Sequence, residues 1–171
     1  MNTAIILTVL GPDRPGLVQA LSEALNKQQG NWTESRMIHL GGKFAGLLQV
    51  SLPTANFADL KQDLAALEAQ GLQITVEKAG KDTEDAPRLL QFEVLGQDRP
   101  GIIQDITRQL AELKVNIEEL CSEQRPAPMS GGTLFFASLS LSLPQNLRTE
   151  AVQDALEALA DPLMVDVNFD V

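Results

Sequence analysis

The chain carries one eleven-residue segment twice, 85 positions apart. Residues 9–19 read VLGPDRPGLVQ and residues 94–104 read VLGQDRPGIIQ, so eight of the eleven positions are identical. The chain has 171 residues, and the spacing is therefore half its length. That period is too long for a solenoid repeat, but it suits a small domain with its own core. The repeat predicts two copies of one domain, residues 1–80 and 88–171, joined by a polar linker over residues 81–87.

The hydrophobic pattern gives each copy the same order of elements. Apolar residues alternate in a strand before the repeated segment and then recur at helical spacing after it. Gly41-Gly42 predicts a hairpin turn, and a second helix and a last strand follow. The order β-α-β-β-α-β predicts an α+β fold with two ferredoxin-like domains in tandem. Each antiparallel sheet is expected to carry its helices on one face and to present a more polar opposite face.

Charge and composition limit the classes of function. Net charge is −10, with 7 basic and 10 acidic side chains in residues 1–85 and 6 and 13 in residues 86–171. Neither half offers a lysine or arginine cluster for a row of phosphates, so direct nucleic-acid binding is disfavoured. No apolar run approaches membrane length, and the start of the chain lacks signal-peptide features. A single cysteine excludes an internal disulfide and fits a cytoplasmic location.

The repeated Gly-x-Asp-Arg-Pro-Gly turn lies where a strand gives way to a helix. Prolines suit the first helical position, and glycines leave the first-turn amides open to a carboxylate, which the helix dipole also favours. An aspartate before the helix can either cap those amides or accept an ammonium group. The turn therefore fits an α-amino acid site, and it fits a plain helix cap as well. The residues concerned are Asp13, Pro15 and Gly16 in the first copy and Asp98, Pro100 and Gly101 in the second.

The element order, this turn and the Val115-Asn116 that opens a strand resemble ACT domains, which are regulatory modules that bind amino acids. The resemblance covers nearly the whole chain. It implies ligand contacts from the turn and from an asparagine 18 positions after the aspartate, commonly where two ACT units meet. Serine-binding members usually carry asparagine where both copies here have aspartate. The implied ligand residues are Asp13, Arg14, Gly16, Leu17 and Asn31, with Asp98, Arg99, Gly101, Ile102 and Asn116.

Two ACT copies at this length are similar to the glycine cleavage system transcriptional repressor family. That resemblance implies a non-enzymatic regulator that responds to glycine or a similar small amino acid. It also implies a DNA-binding regulator protein as partner, with no direct contact to nucleic acid or membrane, and it allows a homo-oligomer. The alternative is a scaffold of tandem ACT domains that binds no metabolite.

The remaining polar residues give no catalytic constellation. His39 is the only histidine and is predicted to be a surface or edge residue, without a metal partner or nucleophile nearby in sequence. Cys121 is interpreted as a small core residue. A loop over residues 124–130, with two prolines, is longer than its counterpart and is either a tolerated insertion or a partner contact. No cofactor motif is present, so neither a cofactor nor an enzyme activity is expected.

Overall fold

The computed structural model describes residues 1–80, 88–129 and 131–170. The predicted linker 81–87 lies outside these ranges. The chain divides into two compact units between residues 82 and 83. Each unit contains one four-stranded antiparallel sheet and two α-helices. The α+β class and the duplicated ferredoxin-like plan are therefore confirmed.

The first unit follows the predicted order. Its strands are arranged β2-β3-β1-β4, so β2 and β4 lie at the edges. The elements are β1 (Asn2–Pro12), α1 (Leu17–Lys27), β2 (Asn31–Leu40), β3 (Lys43–Pro53), a 3-10 turn (Thr54–Asn56), α2 (Phe57–Glu68) and β4 (Gln73–Lys78).

The second unit repeats this arrangement with strand order β6-β7-β5-β8. Its elements are β5 (Arg88–Gln97), α3 (Ile102–Glu112), β6 (Asn116–Pro126), β7 (Thr133–Leu143), α4 (Thr149–Leu163) and β8 (Val165–Asp170).

One core lies in each unit, between the helices and one face of the sheet. Alternate residues of β1 and β3 are fully buried, as their period of two requires, and the apolar faces of α1 and α2 cover them. Phe92 is the largest fully buried side chain, and its ring lies 5.3 Å from that of Phe169 in the second core. The first core consists of Ile5, Leu7, Val9, Leu17, Leu21, Leu25, Leu48, Val50, Leu52, Leu60, Leu64, Leu67 and Leu72.

The first helix of each unit ends in a Schellman motif, in which two amides bond backwards to the last carbonyls. Gly30 N donates to Leu25 O at 2.8 Å and Gln29 N donates to Asn26 O at 3.0 Å. The left-handed residue is Gln29, with φ +58, and Gly30 follows it. Lys114 occupies the matching position of the second unit, also with φ +58.

The two hairpins differ as the sequence predicts, but the extra segment is partly a strand. Gly41 and Gly42 both have positive φ and form a two-residue turn. In the second unit, Arg125 pairs with Leu134 and Pro126 with Thr133, so residues 124–126 belong to β6 rather than to a loop. A hydrogen bond from Ala127 N to Gly132 O, 2.9 Å long, closes the remaining loop, of which Ser130 lies outside the described residues.

One prediction about side-chain placement, that Cys121 is a core residue, is wrong. Cys121 is exposed, because its position in β6 turns it away from the core. The outer face of the first sheet, which faces away from the helices, is apolar near its hairpin, where Ile38, Leu40 and Leu47 are exposed. Alternation in a strand shows that two faces exist, but it does not require the second face to be polar.

Candidate functional site

The repeated turn begins later than the sequence predicts, because the preceding strand continues further. Gly11 and Pro12 were expected to interrupt β1, yet they pair with Phe44 and Lys43 of β3. The next residue, Asp13, donates its backbone N–H to Gly42 O at 3.2 Å, and Asp98 N likewise donates to Thr133 O at 3.0 Å. Each turn is therefore fixed to the hairpin of its own unit.

The glycines of the turn, not the aspartates, occupy the N-cap position of α1 and α3. Gly16 has φ +91 and Gly101 has φ +95, a left-handed conformation that favours glycine. The helices start one residue later, so the prediction that Pro15 and Pro100 take the first helical position is wrong. Neither helix start has a side-chain cap hydrogen bond.

First-turn amides are consequently open in both units. Among the described residues, the amides of Leu17, Val18 and Gln19 have no protein acceptor, and those of Ile102, Ile103 and Gln104 match them. Such N–H groups, at the positive end of the helix dipole, attract a carboxylate. Leu17 and Ile102 as whole residues are only 5% and 2% exposed, so a ligand would reach this first turn mainly at its other residues.

The two aspartates contact a side chain on the neighbouring hairpin instead of capping the helix. Asp13 Oδ2 lies 3.3 Å from His39 Nε2, with both side chains about half exposed. Gln124 Nε2 donates to Asp98 Oδ2 at 2.6 Å. The prediction that aspartate caps the first-turn amides is therefore wrong in both units. His39 is a surface residue, as predicted, but it also lies beside the turn.

The two arginines of the repeat bind backbone carbonyls at the end of the second helix of their own unit. Arg14 donates to Gln70 O, and Arg99 Nε donates to Leu163 O at 3.5 Å. Carbonyls at a helix C-terminus lack intrahelical partners, and arginine satisfies them while complementing the dipole. Each arginine therefore holds the turn against the C-terminal end of the second helix of its unit, α2 or α4.

The asparagines lie at the opposite end of the sheet from the aspartates. Asn31 pairs with Ser51, which pairs with Ala4, whereas Asp13 follows Pro12 at the other end of β1. Nine residue steps, from Ala4 to Asp13, separate these two levels, or about 30 Å at about 3.3 Å per residue. Asn116 and Asp98 have the matching separation in the second unit. One amino acid cannot contact both residues within one unit.

Sequence reasoning missed the contacts of His39 and Gln124. The signal was available, because these two residues are also 85 positions apart. A histidine considered alone gives no such indication. Only its equivalence to Gln124 relates it to the repeated turn.

Comparison with known proteins agrees with this geometry. A family model for the ACT domain matches residues 3–77 and 88–170. The chain belongs to the ACT-domain family, in two tandem copies. A crystal structure of an unknown protein from Galdieria sulphuraria is 32% identical, with a TM-score of 0.88, over 99% of this chain and 98% of that one.

Two further relatives carry a functional description. This tandem ACT protein is 22% identical to the glycine cleavage system transcriptional repressor of Escherichia coli (strain K12), over 98% of its own length and 89% of the relative. A crystal structure described as a candidate glycine cleavage system transcriptional repressor has a TM-score of 0.72 at 18% identity, over 99% of this chain and 97% of that one. At that identity, the structural likeness shows the fold alone.

Metal sites and membrane-spanning helices are two further features to consider. Within the described ranges, no group of three or more histidine, cysteine, aspartate or glutamate side chains is arranged to hold a metal ion. None of the helices in the described part of the chain is both long enough and apolar enough to cross a bilayer.

Proposed function

We propose that this tandem ACT protein is a non-enzymatic regulator that binds glycine or a similar small amino acid at its two repeated turns. The observation that carries the proposal is the same in both units: open first-turn amides lie beside an aspartate that does not cap them. The amides are suited to the carboxylate of a zwitterion, and the aspartate is suited to its ammonium group. The ACT family relationship supports this use of the turn.

Each turn is rigidly supported, which favours binding without a large ordering cost. The backbone of the aspartate is bonded to the hairpin, and the arginine is bonded to the end of the next helix. In the proposal, Arg14 and Arg99 position the turn, and the exposed backbone at Gly16 and Gly101 provides the contacts to the ligand, whereas Leu17 and Ile102 are largely buried beside it. Asn31 and Asn116 would contribute only if another ACT unit, from this chain or from a second copy, brought them to a turn.

We further propose that the chain regulates transcription through a DNA-binding partner protein. A net charge of −10, with an acidic excess in both halves, disfavours direct contact with a phosphate backbone. The Escherichia coli relative is named a transcriptional repressor, and in the proposal an acidic chain with that role acts on DNA through another protein. An amino acid that binds two states of the chain with different affinity would change its affinity for that partner.

Calorimetric titration tests the amino acid site directly. Wild-type chain is titrated with glycine, serine and, as a reference, acetate, which has no ammonium group. Asp13→Ala and Asp98→Ala should each weaken amino acid binding at one turn by about tenfold, because each removes a charged hydrogen-bond partner. Asp59→Ala is the matched control, since it removes an aspartate from the first turn of α2, away from the repeated segment.

A scaffold that binds no metabolite is the second candidate, and a specific observation favours it. His39, Gln124, Gln70 and Leu163 already engage the aspartates and arginines of both turns. If neither glycine nor serine gives heat, and Asp13→Ala only lowers stability, the scaffold is the better description. A mobility-shift assay with DNA tests the proposal of a DNA-binding partner. If the chain alone shifts the DNA, it binds DNA directly and the proposal is contradicted.

A further inference from the structure

The outer face of the first sheet carries an exposed apolar patch near the hairpin. We define the apolar patch as Leu10, Ile38, Leu40 and Leu47, which are 40%, 61%, 75% and 53% exposed. The strand register places all four on the face opposite the helices: Leu47 pairs with Thr8, and Ala45 links Leu10 to Ile38. Isolated exposed leucines are ordinary, but a contiguous group on one sheet face indicates an interaction surface.

The second unit shows that the fold does not require this patch. At the positions that match Ile38, Leu40 and Leu47, it has Glu123, Arg125 and Ser138. Leu10 and Lys43 are matched by Leu95 and Leu134, which are partly buried, and Phe136 on the same face lies under the Arg125 guanidinium, 3.7 Å from the ring centroid. The fold therefore does not require apolar side chains at the positions of Ile38, Leu40 and Leu47, and their exposure in the first unit needs an explanation outside the fold.

Charge favours a second copy of the chain as the partner of the patch. Two molecules of net charge −10 repel one another, and the acidic excess is greater in residues 86–171 than in residues 1–85. The charged residues around the patch on the same face are Arg36 and Lys43 with Glu34 and Glu77, which sum to zero. The outer face of the first sheet is thus a surface on which two such chains can approach without net repulsion.

The area of the face is large enough for a stable dimer. A sheet of four strands and about ten residues, with spacings of about 4.8 Å and 3.3 Å, covers about 640 Å². Two copies that stack these faces bury about 1,300 Å², which lies within the range of specific interfaces. The apolar patch would form the interior of this interface and the charged residues would form its rim.

We propose that two copies of the chain associate through the outer faces of their first sheets, related by a two-fold axis. In such an interface each patch contacts the patch of the other copy, because the same surface is used twice. The two sheets would lie about 10 Å apart, as in other face-to-face sheet packings. The proposal requires no amino acid and is independent of the function proposed above.

Sedimentation velocity without added amino acid tests the association. The wild-type chain of 18.5 kDa should sediment as a dimer at micromolar concentration. The double variant Ile38→Glu with Leu47→Ser gives the first unit the residues of the second, and it should raise the dimer dissociation constant by about 100-fold or more. Leu89→Ser is the control, because Leu89 is 57% exposed on the outer face of the second sheet.

Unfolding curves of the double variant and of Leu89→Ser establish whether each is folded. If the double variant is unfolded, the single variant Leu47→Ser takes its place in the sedimentation experiment. A dimer that dissociates in the double variant and persists in Leu89→Ser supports the proposal. A wild-type chain that stays monomeric at about 100 µM overturns it, and so does a dimer that only Leu89→Ser disrupts. Calorimetry with glycine measures the amino acid site separately, so failure of the dimer and failure of the amino acid site are distinguishable.

Discussion

Gly16→Ala should destabilise the first unit by about 1 kcal/mol, although a Cβ at this position meets no atom within 4 Å. The cost is therefore conformational, because Gly16 has φ +91. An L-residue in the left-handed region costs about 1–2 kcal/mol, and the lower entropy of the unfolded alanine chain returns about 0.4–1 kcal/mol. Gly101, with φ +95 and equally open surroundings, should give the same result in the second unit.

Urea unfolding followed by tryptophan fluorescence isolates the first unit. Trp32 is the only tryptophan, and its half-buried side chain packs against the first core. At a denaturant slope of about 1–2 kcal/mol per molar urea, a loss of about 1 kcal/mol lowers the midpoint by about 0.5–1 M. Far-UV circular dichroism reports both units and serves for Gly101→Ala.

Gly80→Ala is the matched control, since Gly80 also has open space around its Cβ but lacks a positive φ. It should leave the midpoint unchanged or raise it slightly. The reasoning is refuted if Gly16→Ala leaves the fluorescence midpoint where it is, or if Gly80→Ala lowers it as much.

Three other predictions concern stability. Gly46→Ala should cost about 1–3 kcal/mol by steric overlap, because a Cβ there meets Met37 Cγ at 2.6 Å and Arg36 O at 2.9 Å; an unshifted fluorescence midpoint would contradict this. Arg14→Met should cost about 0.5–1.5 kcal/mol in the same assay by removing the hydrogen bond to Gln70 O, and Arg14→Lys should restore part of it. Hydrogen bonds from Lys27 and Gln28 lower the pKa of Asp63 below 3.8. Because the pKa of Asp63 is lower in the folded than in the unfolded chain, its ionised carboxylate stabilises the fold above the unfolded-state pKa, and this stability is lost as the pH falls below about 4. Asp63→Asn should therefore flatten the acid side of a plot of unfolding free energy against pH.

Much of the fold could be predicted because burial of one sheet face imposes a period of two. Ile5, Leu7 and Val9 alternate in this way, and all three are buried. The two-residue turn at Gly41-Gly42 was also predictable, since both positions need positive φ and few other residues accept it. The duplicated segment then assigned the same topology to both halves.

The geometry of the turn was less predictable, because glycine accepts both signs of φ. Sequence alone could not decide that Gly16 is left-handed while Gly30 is not, and Gln29 takes that conformation without being glycine. The partners of Asp13 and Arg14 depend on strand register and on where α2 ends. Those are tertiary properties, so His39 and Gln70 could not be assigned from local pattern.

The hydrogen bond between Arg14 and Gln70 O has a mechanical consequence. Gln70 lies between the end of α2 and Gly71, immediately before β4 begins at Gln73. A displacement of the repeated segment must therefore either break this bond or pull the α2–β4 connection with it. Arg99 links its own segment to the α4–β8 connection in the same way. In each half of the molecule, movement at the start of the first helix is therefore coupled directly to the end of the second helix.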